Sequence, residues 1–557
     1  MNTVSRAFCL AAATSLAAPS LLVACSRTSR EDAPSSGSAA VAAKVPAPPD
    51  LAGELVVANP ERSLAALRRA LGDEAMLVPR TVGGLAVSLL GLPLRAAQEF
   101  DEALPLVGAL AGDEDARFAF AVHVRDGGTF AVVATSGEDA PFTVERVDGL
   151  AHLVPRASLR GPLVPGLALG VAGNYLVVGT SRDAVTTLGP YLAHMLGPRA
   201  DRGEREVAFR ATGQRFGKLA KRLLDGSTAS LDPATWAALA PIVDLDATRD
   251  ALTDSLARAT SVDATLTLGE PPLRLEARVS LDESRRLAGR ALVRPTELMS
   301  LRADSMLGLA LGSDAAGRKA EASARQRGLV TALAAKGGRF DAAASEAALL
   351  AVAEGRGDVT RFGAVCSGAG LTGFATGSVT GREALERGLR GLVGLKDDPA
   401  LKRALDGRGL DVTAERGRLE LVTDEVTLIR VAPRPKKDAT SDERRSAIDL
   451  RFTVGDERFV VAAGNETVDV LRGFYRPTQA GDLGKVEGVA AALARLGDES
   501  FAALYLDPAA LRSCAAGRPS ASPSGFMVAA LSPSDGGVTL RVEVTDAVLA
   551  GLVATLR

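Results

Sequence analysis

The three histidines are the residues of this chain best suited to acid–base or metal chemistry, because imidazole changes charge near neutral pH and is a common metal ligand. His123 lies in an alternating run of apolar residues, His152 in an irregular stretch and His194 in the tail of a predicted helix. None has another histidine, a cysteine or a carboxylate at the spacing of metal ligands. The sequence therefore predicts no metal site and no catalytic residue, and His123 is the first histidine to test if distant residues assemble one.

A glycine-rich stretch at residues 368–373 fits the pattern GxGxxG. A dinucleotide site needs a strand before this pattern and a helix that opens at its last glycine. Here the chain continues as Phe-Ala-Thr, and the next helix is predicted near Gly381. We interpret the stretch as a glycine-rich turn and predict no cofactor. The sequence contains no HExxH, GxSxG or P-loop pattern.

The first 25 residues have the pattern of an export signal. One positive charge precedes the apolar, Ala-rich residues 7–24, and the segment ends in Leu22-Val23-Ala24-Cys25. A charged start, an apolar run and a small residue before the cleavage point are typical of such signals. The ending resembles the lipobox of bacterial lipoproteins. An ordinary signal peptide that happens to end near a cysteine is the alternative.

The lipobox resemblance implies a signal peptide over residues 1–24, cleavage before Cys25, diacylglycerol on its sulfur and acylation of the new amino group. Each buried methylene adds about 0.8 kcal/mol, and stable anchoring needs more than one chain. A residue other than Asp after the cysteine, here Ser26, implies transfer to the outer membrane, with the body facing the periplasm or the cell surface. Residues 25–50 then comprise the lipidated cysteine and a Ser-, Ala- and Pro-rich tether.

Two cysteines remain after the N-terminal segment, Cys366 and Cys514. An exported protein resides where disulfides persist. The sequence therefore suggests a bridge between these two residues, and two separate small buried side chains are the alternative.

Composition limits the class of protein. The chain has 557 residues, of which 47% are hydrophobic and 24% charged, so it can bury a core and form two or three domains. The 65 basic residues are balanced by 67 acidic ones, and this predicts no nucleic-acid partner. No stretch after the signal reaches the roughly 18 continuous apolar residues of a membrane-spanning helix.

The elements that would position any site follow a repeated order. Residues 176–188 read as a buried strand, a turn and a helix, and residues 459–471 match them without a gap, with four identities in thirteen positions at Val177, Val178, Val185 and Leu188. Three further pairs of segments come in the same order: 117–136 with 361–378, 207–223 with 503–511, and 273–277 with 540–544.

In the first of these pairs, residues 118–135 are predicted to form a hairpin, with Asp126-Gly127-Gly128 as its turn. Alternating strands favour antiparallel pairing. We predict an α+β protein of two related halves, residues 51–292 and 293–557, each a mainly antiparallel sheet covered by helices on one face. Two unrelated α+β domains are the alternative.

The anchor, tether and two-part body resemble uncharacterised exported lipoproteins of GC-rich Gram-negative bacteria. We expect an outer-membrane lipoprotein that acts as a non-enzymatic binding or scaffold protein of the cell envelope. Its partners would be the membrane, through the acyl chains, and an envelope protein or a lipid ligand. A carrier of apolar ligands in a groove of a curved sheet is the alternative, and an enzyme assembled from distant residues stays open.

Overall fold

A computed structural model of the chain describes the following residues: 45–71, 78–112, 116–136, 140–147, 149–156, 167–200, 207–211, 213, 215–218, 258–267, 273–281, 289–334, 340–367, 370–407, 409–420, 422, 424–434, 447–476, 481–515 and 525–548. Cys25 and the tether up to residue 44 lie outside them. Within these ranges no helix combines the length and the apolar character needed to cross a membrane.

The described residues form two compact units. The first holds those up to residue 281, and the second holds residues 289–533 and 541–543, while residues 534–540 and 544–548 group with the first. Residues 289–292, which the predicted boundary places in the first half, belong to the second unit.

The first unit is built on ten antiparallel strands in the spatial order β4-β5-β6-β7-β3-β2-β1-β8-β9-β10. The strands are β1 (Leu51–Val57), β2 (Leu106–Ala111), β3 (Arg117–His123), β4 (Phe142–Val147), β5 (Leu150–Pro155), β6 (Ala168–Ala172), β7 (Tyr175–Gly179), β8 (Val207–Ala211), β9 (Ala259–Thr267) and β10 (Leu273–Leu281).

The helices of the first unit are α1 (Pro60–Leu71), α2 (Val82–Leu90), α3 (Gly127–Thr135), α4 (Arg182–Tyr191) and α5 (Gly197–Arg199). A 3₁₀ turn spans Leu94–Glu99, and a π-helical turn, Leu192–Leu196, joins α4 to α5.

The second unit has the same strand order, β14-β15-β16-β17-β13-β12-β11-β18-β19, with β20 beside β19. Its strands are β11 (Ser305–Gly312), β12 (Arg356–Ser367), β13 (Gly370–Val379), β14 (Leu410–Gly417), β15 (Val426–Pro433), β16 (Ile448–Val454), β17 (Arg458–Gly464), β18 (Ala502–Leu506) and β19 (Met527–Ser534), while β20 (Gly537–Val544) contributes only residues 541–543 to this unit.

The helices of the second unit are α6 (Ala315–Ala334), α7 (Ala342–Gly355), α8 (Arg382–Gly394), α9 (Pro399–Asp406), α10 (Thr467–Tyr475), α11 (Val489–Arg495) and α12 (Pro508–Ala515). Shorter 3₁₀ turns lie at Pro295–Ser300, Leu395–Asp397 and Leu483–Lys485.

Helices cover both faces of the first unit's sheet, whereas the sequence predicted cover on one face. Val178 of β7 packs with α1, α2 and α3, and the adjacent Val177 packs with α4 on the opposite face. Both valines are 0% exposed. Successive strand residues point to opposite faces, so this short central strand contacts a helical layer on each face. Every residue of the strand is therefore buried, which explains its unbroken apolar run.

The second unit repeats this arrangement. Val460 of β17 packs with α10 and α11, while Phe459 packs on the other face against Leu385 of α8. The α+β class and the two related halves are therefore confirmed. In each unit the strand and helix that carry the matched sequence, β7–α4 and β17–α10, occupy the same position in the same strand order.

The predicted hairpin at residues 118–135 is wrong in its second arm. Residues 127–135 form α3, and the Asp126 carboxylate accepts a hydrogen bond from the Thr129 backbone N–H at 2.6 Å. An aspartate at this position caps a helix, since it satisfies an N–H that has no partner within the helix. The Asp-Gly-Gly sequence therefore starts a helix here and does not make a strand reversal.

The predicted match of residues 117–136 with 361–378 is also wrong, because it is displaced by one strand. Strands β12 and β13 form the hairpin of the second unit, but their counterparts by strand order are β2 and β3, so β3 corresponds to β13. The described part of the GxGxxG pattern, residues 370–373, lies within β13 and pairs with β12. No helix opens at Gly373, as the interpretation of a glycine-rich turn requires.

A disulfide links Cys366 at the end of β12 to Cys514 in α12, the pair that the sequence suggested. The bridge spans 148 residues of chain. It therefore ties a central hairpin of the second unit to a helix that follows β18.

If the two units share one core plan, truncation at matched positions should have matched effects. Leu188 in α4 and Leu471 in α10 are both 0% exposed. We expect Leu188→Ala and Leu471→Ala each to lower the free energy of unfolding by about 2–5 kcal/mol, measured by urea denaturation. Leu371→Ala, at a leucine that is 55% exposed, is the control and should change it by less than about 0.5 kcal/mol. A negligible effect at one of the two buried leucines would contradict the shared plan.

Candidate functional site

A cleft of about 560 Å³ lies in the first unit where β3 ends and β7 begins. It is lined by residues from four segments of the chain, namely Leu104, Pro105, His123, Gly173, Asn174, Tyr175, Gly197, Pro198 and Ala200. The polar side chains of the lining come from β3, the turn between β6 and β7, and the first residue of β7.

The turn between β6 and β7 forms one wall of the cleft. Gly173 has φ +53°, a conformation that favours glycine. The Asn174 side-chain oxygen accepts a hydrogen bond from the Gly127 backbone N–H at 3.3 Å, and its backbone oxygen accepts one from Val124 N–H at 2.9 Å. A Cβ atom on Gly127 would overlap the Gly173 carbonyl. The N-terminus of α3 can therefore approach the turn closely and fix it.

The opposite wall is the chain after α4. The π-helical turn delivers Gly197, Pro198 and Ala200 to the cleft. A Cβ atom on Gly197 would overlap the hydroxyl end of Tyr175. Glycine at this position leaves room for the hydroxyl end of Tyr175, a lining residue that is only 8% exposed.

His123 is held between two neighbours. Its Nδ1 lies 3.7 Å from the Asp101 carboxylate, beyond hydrogen-bond distance, and has no hydrogen-bond partner. Its ring stands at 89° to that of Tyr175, with 5.0 Å between the centroids. Burial lowers the pKa of His123, and Asp101 opposes the shift only in part. The imidazole is therefore neutral at pH 7 and able both to donate and to accept a hydrogen bond.

Tyr175 is the second polar group of the cleft. Burial raises the pKa of its hydroxyl, so the phenol also stays neutral at physiological pH and can donate and accept. With the Asn174 amide, these side chains give the cleft three uncharged hydrogen-bonding groups next to one carboxylate, that of Asp101.

The other two histidines do not line the cleft. His152 is 2% exposed and its Nε2 lies 3.5 Å from the Thr186 hydroxyl, so it is a core histidine of the first unit. His194 is exposed, and its ring borders the turn at Gly173. The described residues include no group of three or more His, Cys, Asp or Glu placed to hold a metal ion.

The counterpart of this turn in the second unit is filled by charged side chains. Arg458 begins β17 as Tyr175 begins β7, and its guanidinium carbon stacks 4.9 Å from the centre of the Tyr475 ring. The Tyr475 hydroxyl donates to Asp424 at 3.0 Å, and Arg382 at the start of α8 pairs with Asp456. Of the two related turns, the one in the first unit is therefore the candidate binding site.

Sequence reasoning singled out His123 but missed its neighbours. Gly173-Asn174 between two apolar runs is a hairpin-turn signal that could have been read. Asp101 carries no local signal, because the 3₁₀ turn before it brings it to the end of β3 only in the folded unit. The Asp101 backbone N–H bonds to the His123 carbonyl at 3.0 Å, which fixes their contact.

Comparisons with known proteins identify no family. No protein-family profile matches the chain, and no curated protein sequence matches it. Among solved structures, the crystal form I structure of TP0453 is similar at 10% identity and a TM-score of 0.23, over 42% of this chain and 77% of that one. A likeness at this TM-score carries no argument about fold or function.

The histidines predict how stability depends on pH. Burial lowers the pKa of His123 and of His152 below the unfolded value near 6.5. The unfolded chain therefore binds more protons than the folded one below about pH 6.5, so this contribution to stability is complete above that pH and is lost as the pH falls.

We expect the free energy of unfolding to fall between pH 7.5 and 5.5, by at most about 1.4 kcal/mol per pH unit for each histidine. His123→Asn should reduce this slope in urea denaturation at several pH values, whereas Val144→Thr, at an exposed residue that carries no ionisable group, should not. Equal slopes in wild type and His123→Asn would contradict the burial of a neutral imidazole in the cleft.

Proposed function

We propose that this chain is an outer-membrane lipoprotein, anchored by acyl chains on Cys25, whose α+β body is a non-enzymatic binding protein of the cell envelope. The N-terminal sequence that ends in Leu22-Val23-Ala24-Cys25 supports the anchor. The observation that carries the binding role is the cleft in the first unit. It offers neutral His123, Asn174 and Tyr175 side chains on a frame buried from both sides.

The lining indicates the class of ligand. The cleft volume of about 560 Å³ falls within the range of about 300–1,000 Å³ typical of small-molecule sites. Its three polar side chains are uncharged at pH 7 and can both donate and accept hydrogen bonds. A small neutral ligand rich in hydroxyl or amide groups fits this set better than a strong anion, which the nearby Asp101 carboxylate would repel.

The same lining favours binding over catalysis. His123 beside Asp101 has the residue types of an acid–base pair, but the His123 Nδ1 lies 3.7 Å from the Asp101 carboxylate and is not hydrogen-bonded to it, so Asp101 does not orient the imidazole as a general base. A rigid binding site for a component of the envelope needs only the groups that the cleft presents.

The alternative of an apolar-ligand carrier has less support. Such a carrier needs an apolar cavity against the sheet. In the described part of the first unit, the apolar strand residues Val177 and Val178 are 0% exposed, and helices pack on both faces. Mass spectrometry of solvent extracts from the purified protein tests this alternative, and stoichiometric lipid beyond the N-terminal acyl chains would favour it over a polar ligand.

The anchor is tested at Cys25. We expect mass spectrometry of the wild-type N-terminal peptide to show an acylated cysteine, and cell fractionation to place the protein in the outer membrane. Cys25→Ser should abolish both, because the thioether needs the sulfur. Cys9→Ser, which changes a cysteine inside the predicted signal, is the matched control and should alter neither. An unmodified Cys25 in the mature wild-type protein would refute the anchor.

The binding site is tested with neutral polar probes. We expect at least one member of a panel of monosaccharides and amino-acid amides to raise the thermal midpoint and shift the His123 imidazole resonance. Tyr175→Phe and His123→Asn should each weaken that binding by about 5–150-fold, the effect of leaving a buried hydrogen-bonding group unpaired. Val144→Thr, at an exposed residue of β4 outside the lining of the cleft, is the control. Binding that survives both substitutions in the cleft would place the ligand elsewhere.

A further inference from the structure

A second cavity, of about 220 Å³, lies in the second unit between α8 and the last strands of the sheet. Its lining includes Arg390 and Val393 of α8, Glu415 and Arg416 of β14, Thr427 of β15 and Phe452 of β16. We call this cavity the arginine pocket. Its volume is below the range of about 300–1,000 Å³ typical of sites for drug-sized ligands. The pocket can therefore hold a small ion or the head group of a larger ligand.

The strand register places three of the lining residues in one row across the sheet. Arg416 lies directly opposite Thr427, which lies opposite Phe452. Phe452 in turn pairs with Val461, and α8 packs on that face of the sheet. Directly paired residues of antiparallel strands point to the same face. The three side chains of the row therefore face α8, which contributes Arg390 to the pocket.

The pocket has buried residues below and charged residues at its rim. Thr427 and Phe452 are 9% and 6% exposed, whereas Arg390 and Arg416 are exposed. Among the described residues the Thr427 hydroxyl has no hydrogen-bond partner. A polar group that is this buried normally has a partner, either in the protein or in a bound molecule. The unpaired hydroxyl therefore marks a place for a bound polar atom.

The unpaired charge at the pocket is positive. In the part of the chain that the structure describes, the Arg416 guanidinium has no ion-pair partner. Arg390 donates through one nitrogen to the Glu386 carboxylate, and because a guanidinium has five N–H groups, most of its donors remain available. Successive strand residues point to opposite faces, so the Glu415 side chain lies on the face away from Arg416, where its charge acts on Arg430. Two guanidinium groups and one hydroxyl therefore border the pocket with available donors.

The first unit shows that this row of the sheet does not have to be polar. Its matching row, defined by the same strand order, consists of Val144, Leu153, Leu169 and Val178. Leu153 and Leu169 pack in the core that includes residues of α3. The second unit has Arg416 and Thr427 where the first has Val144 and Leu153. Since the shared plan forms with apolar side chains at these positions, the polar pair is explained better by a ligand than by the fold.

We propose that the arginine pocket binds a small oxyanion, a carboxylate or a phosphate group, between the guanidinium groups of Arg390 and Arg416, with the Thr427 hydroxyl as a further donor. The planar fork of arginine N–H groups matches the oxygens of carboxylates and phosphates, and Phe452 offers an apolar surface to the carbon atoms beside them. A free organic anion and a phospholipid head group share this chemistry. The site depends neither on the cleft of the first unit nor on lipidation of Cys25.

The test measures binding to the purified protein at low ionic strength by ligand-observed NMR titration, with inorganic phosphate, acetate and dihexanoyl phosphatidic acid as probes. We expect at least one probe to bind wild type. Arg416→Gln should raise its Kd about 10- to 100-fold, the effect of losing a charge-assisted hydrogen bond. Thr427→Val, which removes the hydroxyl and keeps the shape of the side chain, should raise the Kd about 2- to 10-fold.

The matched control is Arg146→Gln, which removes the same charge from an exposed residue of β4, the strand of the first unit that corresponds to β14. It should leave the Kd unchanged, and circular dichroism should be the same for wild type and every variant. A Kd for phosphatidic acid that is about tenfold or more below that for phosphate and depends on Arg416 assigns the pocket to a lipid head group, whereas comparable values assign it to a free anion. No binding of any probe by wild type, or equal Kd values for Arg416→Gln and Arg146→Gln, would overturn the proposal.

Discussion

Strand β7 is buried along its whole length, and two helical layers of the first unit pack against its opposite faces. This requirement fixes much else. A strand with no solvent-facing side must be apolar at every position, so the sequence there cannot alternate. It must also lie inside the sheet, which it does between β6 and β3. The helix after it packs over one face of the sheet. The turn before it lies at the ends of the strands, where the cleft forms.

The second unit follows the same plan with a less completely buried strand. Strand β17 occupies the position of β7, and its apolar residues are divided between two cores in the same way, although its first residue, Arg458, is exposed. The two units differ at the turn where this strand begins. Where the first unit presents His123, Asn174 and Tyr175 to an open cleft, the second presents Arg458 stacked on Tyr475 and Arg382 paired with Asp456. The buried strand is held by packing, while the residues at its end could diverge without cost to the core.

The sequence predicted what depends on apolar pattern and failed where a local polar contact decided. The α+β class, the antiparallel pairing and the repeat of residues 176–188 were predictable because buried positions must be apolar and therefore recur in a regular pattern along the sequence. Residues 127–135 were not, because Asp-Gly-Gly suits a hairpin turn and a helix start equally, and the Asp126 carboxylate selects the helix by bonding to Thr129. The contact of Asp101 with His123 could not be predicted for another reason. It joins residues of two separate elements, and such a contact produces no periodic pattern in the sequence.

The bond joins Cys366 and Cys514, which are 148 positions apart in the sequence, and the chain between them includes the strands β13 to β18 and the helices α8 to α11. A protease that cuts one exposed loop within this span would leave two fragments joined by a covalent bond. The second unit could thus lose the continuity of its backbone without releasing a piece of itself. The bond would thus keep a nicked molecule whole, with both fragments held in one folded unit.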